Sequence, residues 1–142
     1  MIQTTSISIF SLNINGLSNQ KFDALAQLLH QYDIIMLQET HLTKPMTSTY
    51  TNWLTYRRWR TFWGYSSRPN KRAQGGVAIW IREDLFQNGI VLSYELLKHD
   101  LRKHILSIRL QCRDQSFVLS SIYMPVLHTV RKLRNASKLC RP

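Results

Sequence analysis

Acidic residues are scarce in this chain: eight Asp and Glu stand against nineteen Lys and Arg, for a formal charge of +11. None falls between Thr40 and Arg82, a span that carries eight basic residues, and none follows Asp114. A field of one sign attracts polyanions, of which phosphodiester backbone is the usual one; a solvated basic surface without a specific partner gives the same composition. Cysteine is also sparse. Cys112 and Cys140 lie far apart, fit no zinc spacing and read as free thiols of a reducing compartment. The longest unbroken apolar run, residues 77–81, is far too short to span a membrane. The N-terminal segment has neither the basic start nor the small-residue cleavage site of a secretion signal. These absences point to a nuclear or cytoplasmic protein with no membrane partner. Apolar material, by contrast, is plentiful. Hydrophobic residues make up 44%, with five Phe, four Trp and six Tyr, so 142 residues form one domain's length with a core to bury rather than a disordered chain.

The spacing predicts a strand over residues 6–13, ended by the turn-forming run Asn13-Ile14-Asn15-Gly16. A helix follows over 20–31, with Phe22, Leu25, Leu28 and Leu29 on one face and Ser18 or Asn19 as its cap. The apolar run 33–38 is then a buried strand. In one sheet this β-α-β unit is parallel with a right-handed crossover. Residues 40–67 are polar, aromatic and basic, and only 60–65 reads as an element, a strand. Further strands are expected over 76–81, 90–97, 104–111 and 116–123, mostly as an antiparallel meander. The tail from His128 onward is basic and has no periodic face.

Two polar residues stand out by position. Asn13 ends the first strand and Glu39 ends the second, and parallel strands place such ends on one rim, where open α/β sheets bind ligands. An amide oxygen and a carboxylate there suit a hard cation such as Mg²⁺. Spacing alone equally allows Asn13 to start the turn and Glu39 to cap the strand exit.

The surrounding letters add to this. Leu12-Asn13-Ile14-Asn15-Gly16-Leu17, Leu37-Gln38-Glu39-Thr40-His41-Leu42, Gly75-Gly76-Val77 and Tyr123-Met124-Pro125 occur in this order. The series resembles the endonuclease/exonuclease/phosphatase family, and within it the apurinic-endonuclease-like domain of non-LTR (LINE-type) retrotransposons. The resemblance runs from about residue 7 to 125 and implies an α/β fold, the N-terminal half of a four-layer α/β sandwich. It implies Mg²⁺-dependent (or Mn²⁺-dependent) endonucleolytic cleavage of DNA, with a downstream reverse transcriptase as partner in the full-length element. Carried over by position, Glu39 is the metal-binding glutamate. Asn13 is the asparagine that orients the metal or its phosphate ligand, and Tyr123 is the tyrosine whose hydroxyl sits near the scissile phosphate. Asn15, where apurinic endonucleases often have Asp, favours the retroelement branch. His41 belongs to the motif's lettering without a catalytic role.

Where the family has Gly-Asp-Phe-Asn and Ser-Asp-His motifs, this sequence has neither, and His128 is the sole histidine beyond Tyr123. The break reads as truncation, as in a frameshifted or mis-spliced retroelement copy, with a partial domain over residues 1–125 and a divergent basic tail over 126–142. It is expected to remove the water-activating aspartate and the second sheet, leaving one sheet face bare and the fold in question. The basic aromatic stretch over residues 53–63 reads as a mixture of core aromatics, Phe62 and Trp63 inward, and nucleic-acid-binding cations, Arg57, Arg58, Arg60, Arg68, Lys71 and Arg72. Rival expectations are a residual basic nucleic-acid-binding fragment without chemistry, and a phosphomonoesterase or sphingomyelinase-like branch of the same family, against which the charge argues.

Overall fold

The run Ile34-Ile35-Met36-Leu37 has no polar residue on either face, and its surroundings explain why. A computed structural model of the chain describes residues 6–67, 74–99 and 104–124. Numbered in chain order, β1 (Ile9–Asn13), β2 (Ile34–Gln38), β3 (Trp59–Gly64) and β4 (Val77–Arg82) form one sheet, in the order β1-β2-β4-β3. β1 and β2 are parallel, with Asn13 opposite Gln38; β4 runs antiparallel to both β2 and β3. The two central strands are covered on both sides, so Ile34, Ile35, Leu37 and residues 77–81 of β4 are fully buried.

Helices cover one face. Helix α1 (Asn19–Ala26) starts at Ser18, whose hydroxyl accepts a hydrogen bond from the Lys21 amide at 3.3 Å. It is shorter than its pattern suggests. The expected helix to residue 31 gives way to a 3-10 turn over Leu29–Gln31. Arg82, reaching from the sheet, donates to the carbonyls of Leu29 and Tyr32 and so satisfies the acceptors a longer helix would have used. Helix α2 (Lys44–Tyr56) was not expected at all, since residues 40–67 promised only one strand. Pro45 lies in its first turn, where its missing N–H costs nothing, and Thr47, Tyr50 and Leu54 form the buried stripe. These helices pack Phe22, Leu25, Tyr50 and Leu54 against Ile35, Leu37, Ala78 and Trp80. Phe22 and Trp63 both meet the Trp80 ring edge-on, at centroid distances of 6.0 and 5.7 Å.

The other face meets a second sheet. After the short helix α3 (Asp84–Gln87), strands β5 (Ser93–Leu97), β6 (Ile105–Gln111) and β7 (Ser116–Ile122) form an antiparallel meander in the order β5-β6-β7. Their inner residues Leu106, Ile108, Leu110 and Leu119 pack on Ile34, Met36, Val77, Ile79 and Ile81. This corrects the expectation of a bare sheet. The second sheet is built from residues 93–122, ahead of the point where the family resemblance stops, and the argument for an unstable half-sandwich loses its premise. The architecture is α/β: helices, a mixed sheet, and an antiparallel sheet stacked on it. Pro125, His128, Cys140 and the whole tail over 126–142 lie outside the described residues.

Candidate active site on the strand rim

Because β1 and β2 are parallel, their C-terminal ends share a rim, and antiparallel β4 begins there, with Val77 opposite Gln38. The chain around this rim is held by backbone hydrogen bonds. Ile14, Gly16 and Leu17 donate to the carbonyls of Gln38, Glu39 and Thr40 at 3.0, 2.7 and 2.9 Å. From the other side, Thr40 and His41 donate to the carbonyls of Gly76 and Gly75 at 3.0 and 2.9 Å. Asn13 closes its own turn: its side-chain oxygen accepts from the Asn15 amide at 3.1 Å. Lys21, one turn into α1, donates to the carbonyls of Ile14 and Asn15 at 2.8 Å each.

Several of these residues have left-handed backbones. Asn15, Glu39 and His41 show φ of 47°, 53° and 59°, a region that asparagine tolerates and that is costly for most other residues with a side chain. At Glu39 the conformation has a consequence. Strand alternation would send its side chain to the helix side with Leu37, away from the second sheet. The positive φ breaks the alternation, and the carboxylate lies close enough to the Tyr123 hydroxyl to raise its pKa. Tyr123 follows directly on β7, where its amide donates to the His104 carbonyl at 2.7 Å. The site therefore spans both sheets.

The Tyr123 phenol is pushed above its ordinary 10.0, first by the hydrogen bond to Glu39, then by burial and by the Glu39 charge. The phenol thus remains a donor through neutral pH. Glu39→Gln should bring its ionisation back toward 10, read from the ¹³C shift of the Tyr123 ring in a pH titration. The unfolded phenol ionises near 10, so the stabilisation is complete below that pH and is lost as pH rises through the folded value.

Asn13, Glu39 and Tyr123 are thus gathered at one end of the sheets, Asn13 exposed and the other two half-buried. Arg57 and Arg58 are not with them. β3 starts at the opposite end, Trp59 pairing with Arg82, so Arg57 and Arg58 sit a strand's length, roughly 20 Å, from the rim. Arg57 and Arg58 are exposed, the first with its guanidinium 4.9 Å from the Trp53 ring centroid, the second donating to Gln87. Arg60 is engaged by Glu83 in a two-point ion pair and stacks 3.9 Å over the Phe86 ring. Arg68, Lys71 and Arg72 lie outside the described residues. Trp63 packs with the helix-side core and Phe62 with the opposite one. His41 lies beside Gly16, where a β-carbon would stand 3.1 Å from its Nδ1.

The sequence reading passed over Gln38, Ser121 and Lys21. Gln38 had a usable signal: it closes the stripe Ile34, Met36, Gln38, so a polar side chain ends an otherwise apolar interior face.

Among the described residues no group of three or more His, Cys, Asp or Glu could hold a metal ion. That falls short of the ligand set zinc takes. Magnesium asks for less of the protein, one or two carboxylates with water and phosphate oxygens completing its shell. No helix among the described residues is long and apolar enough to cross a membrane.

Comparisons with known proteins follow from this fold. A family model described as "Endonuclease/Exonuclease/phosphatase family" matches residues 10–122. No curated protein matches by sequence. Among solved structures, the chain is similar to AP endonuclease LMAP from Leishmania major, with TM-score 0.65 and 14% identity over 87% of this chain and 43% of that one. It is similar to the 3′ phosphatase NExo from Neisseria bound to a product DNA hairpin, with TM-score 0.51 and 20% identity over 80% of this chain and 40% of that one. A third is the endonuclease domain of TRAS1, a telomere-specific non-LTR retrotransposon, with TM-score 0.50 and 14% identity over 96% of this chain and 56% of that one. At these identities the likeness is one of fold. The chain spans between 40% and 56% of the length of these three structures.

Proposed function

The chain belongs to the endonuclease/exonuclease/phosphatase family, and from that premise we propose that its rim is the metal- and phosphate-binding part of a DNA endonuclease site of the retrotransposon kind. The observation that carries this is the convergence of Glu39 and Tyr123 beside Asn13, at the ends of two sheets joined by the Gln38–Ser121 hydrogen bond. Glu39, with Asn13, would hold Mg²⁺ or Mn²⁺. When bound, the ion supplies charge relief on the phosphoryl oxygens and assistance to the leaving oxygen. The Tyr123 phenol has one proton, directed to Glu39 here; with a phosphate bound it would turn that proton to a non-bridging oxygen, and the Asn13 amide can donate to another. The field of nineteen basic residues draws in the polyanion. In a full-length element the nicked end would prime a reverse transcriptase, in the nucleus or cytoplasm.

None of the three residues activates water. An amide has no basic nitrogen, the phenol holds its proton, and Glu39 is committed to the cation. These 142 residues by themselves are therefore expected to nick DNA weakly or not at all. A supercoiled-plasmid assay with Mg²⁺ checks this: relaxed circles should stay near background. Robust nicking that Glu39→Ala abolishes would contradict it. Salt-sensitive DNA binding that survives Glu39→Ala but weakens on replacing Arg57, Arg58 and Arg60 would favour the rival, a binding fragment without chemistry.

A further inference from the structure

One amide connects all the strand ends that carry the site. Gln38 Nε2 donates to Ser11 Oγ on β1 at 3.2 Å and to Ser121 Oγ on β7 at 2.9 Å. Ser121 in turn donates to the Leu37 carbonyl on β2 at 2.8 Å. The amide's orientation follows from this chain, since the single Ser121 proton goes to Leu37 and the hydroxyl must then accept from Gln38. Ser121 is fully buried on β7, two residues from Leu119 of the core between the sheets. An apolar pair would fill that space without the cost of burying polar groups. It would also let one sheet slide on the other, which a directional hydrogen bond resists.

The spacing gives the network its use. Ser11 is two residues before Asn13, on the same face of β1. Gln38 immediately precedes Glu39. Ser121 is two residues before Tyr123, which directly follows β7. We infer that Gln38 and Ser121 are positioning residues, which hold the two sheets in the register that lets Glu39 meet Tyr123 beside Asn13. This rests on reading those three residues as the active site; the geometric claim itself needs neither metal nor substrate.

The test is a double-mutant cycle on thermal unfolding of the whole chain. Glu39→Ala and Tyr123→Phe remove the same contact, so together they should lower Tm by less than the sum of their separate shifts. In a Gln38→Met background, itself lowered by about 3–6 °C, the two shifts should become additive. A residue that merely stabilises the sheets would lower Tm and leave the non-additivity as it was. That outcome would overturn the inference. Should Gln38→Met fail to fold, Ser121→Ala removes the same bond from the other sheet. As a second readout at fixed pH, Glu39→Gln should move the Tyr123 ring resonances in the parent chain and not in the Ser121→Ala background. Equal movement in both would also overturn it. Loss of the nuclease reading through metal or cleavage assays would leave either result standing.

Discussion

Gly76→Ala is expected to destabilise the chain by about 2–5 kcal/mol, because two separate penalties fall on one methyl group. The backbone at Gly76 has φ +87°, a conformation that costs an L residue roughly 1–2 kcal/mol. The added carbon would also lie 2.3 Å from Thr40 Oγ1 and 3.2 Å from the His41 amide. Thr40 is 1% exposed and cannot yield without displacing its surroundings, and such overpacking costs about 1–3 kcal/mol. Gly89→Ala separates the two penalties: φ there is +71°, but the nearest atom is the end of Arg113, 3.9 Å away. It should lose only the backbone share. Thr40→Ala, which removes the blocking hydroxyl, should partly rescue Gly76→Ala. Urea unfolding of the four variants measures this. The chemical meaning of the Gly-Gly-Val letters is thus close approach: glycine lets β4 enter the rim against the segment that turns Glu39.

Trp80→Ala carries the other large effect, about 3–5 kcal/mol. Trp80 is fully buried on the helix side of the central strand β4, touching the rings of Phe22 and Trp63. Removing it opens a cavity between sheet and helices that rigid strands on either side cannot close. Domains of this kind are stable by only about 5–15 kcal/mol, so the variant should be partly unfolded at 37 °C. Trp80→Phe is the informative control. The indole Nε1 has no hydrogen-bond partner among the described residues, so phenylalanine loses volume yet relieves a buried donor. Its loss should be well below that of alanine, again by urea unfolding.

The sequence disclosed what periodicity and local chemistry control. The β-α-β unit and the later strands fall within a few residues of their expected places, because buried strands and turn-forming residues leave direct marks. Helix α2 was hidden for a local reason: Thr47 interrupts its apolar stripe, and Pro45 suggests a break although it sits in the first turn. The second sheet was hidden by a different one. The absence of two family motifs after Tyr123 suggests loss of the layer, whereas that layer is made of β5 to β7. At the site, Asn13, Glu39 and Tyr123 were readable as letters. Their meeting depends on a positive φ at Glu39 and on the stacking of two sheets, neither of which a one-dimensional pattern encodes. The arginines show the converse. Arg57, Arg58 and Arg60 are near the motifs in sequence, but the strand they lead into runs toward the rim, so they start at its far end.

Glu39 is proposed to anchor a hard cation at a rim shared with Asn13 and Tyr123. The most direct measurement is a Mg²⁺ titration of the 142-residue chain followed by residue-resolved NMR. The account predicts saturable shifts centred on Asn13, Glu39 and Tyr123, and an affinity at least about tenfold weaker in Glu39→Ala, as loss of a ligand exceeds loss of an outer partner. Shifts that centre elsewhere, or an affinity that Glu39→Ala leaves unchanged, would contradict it.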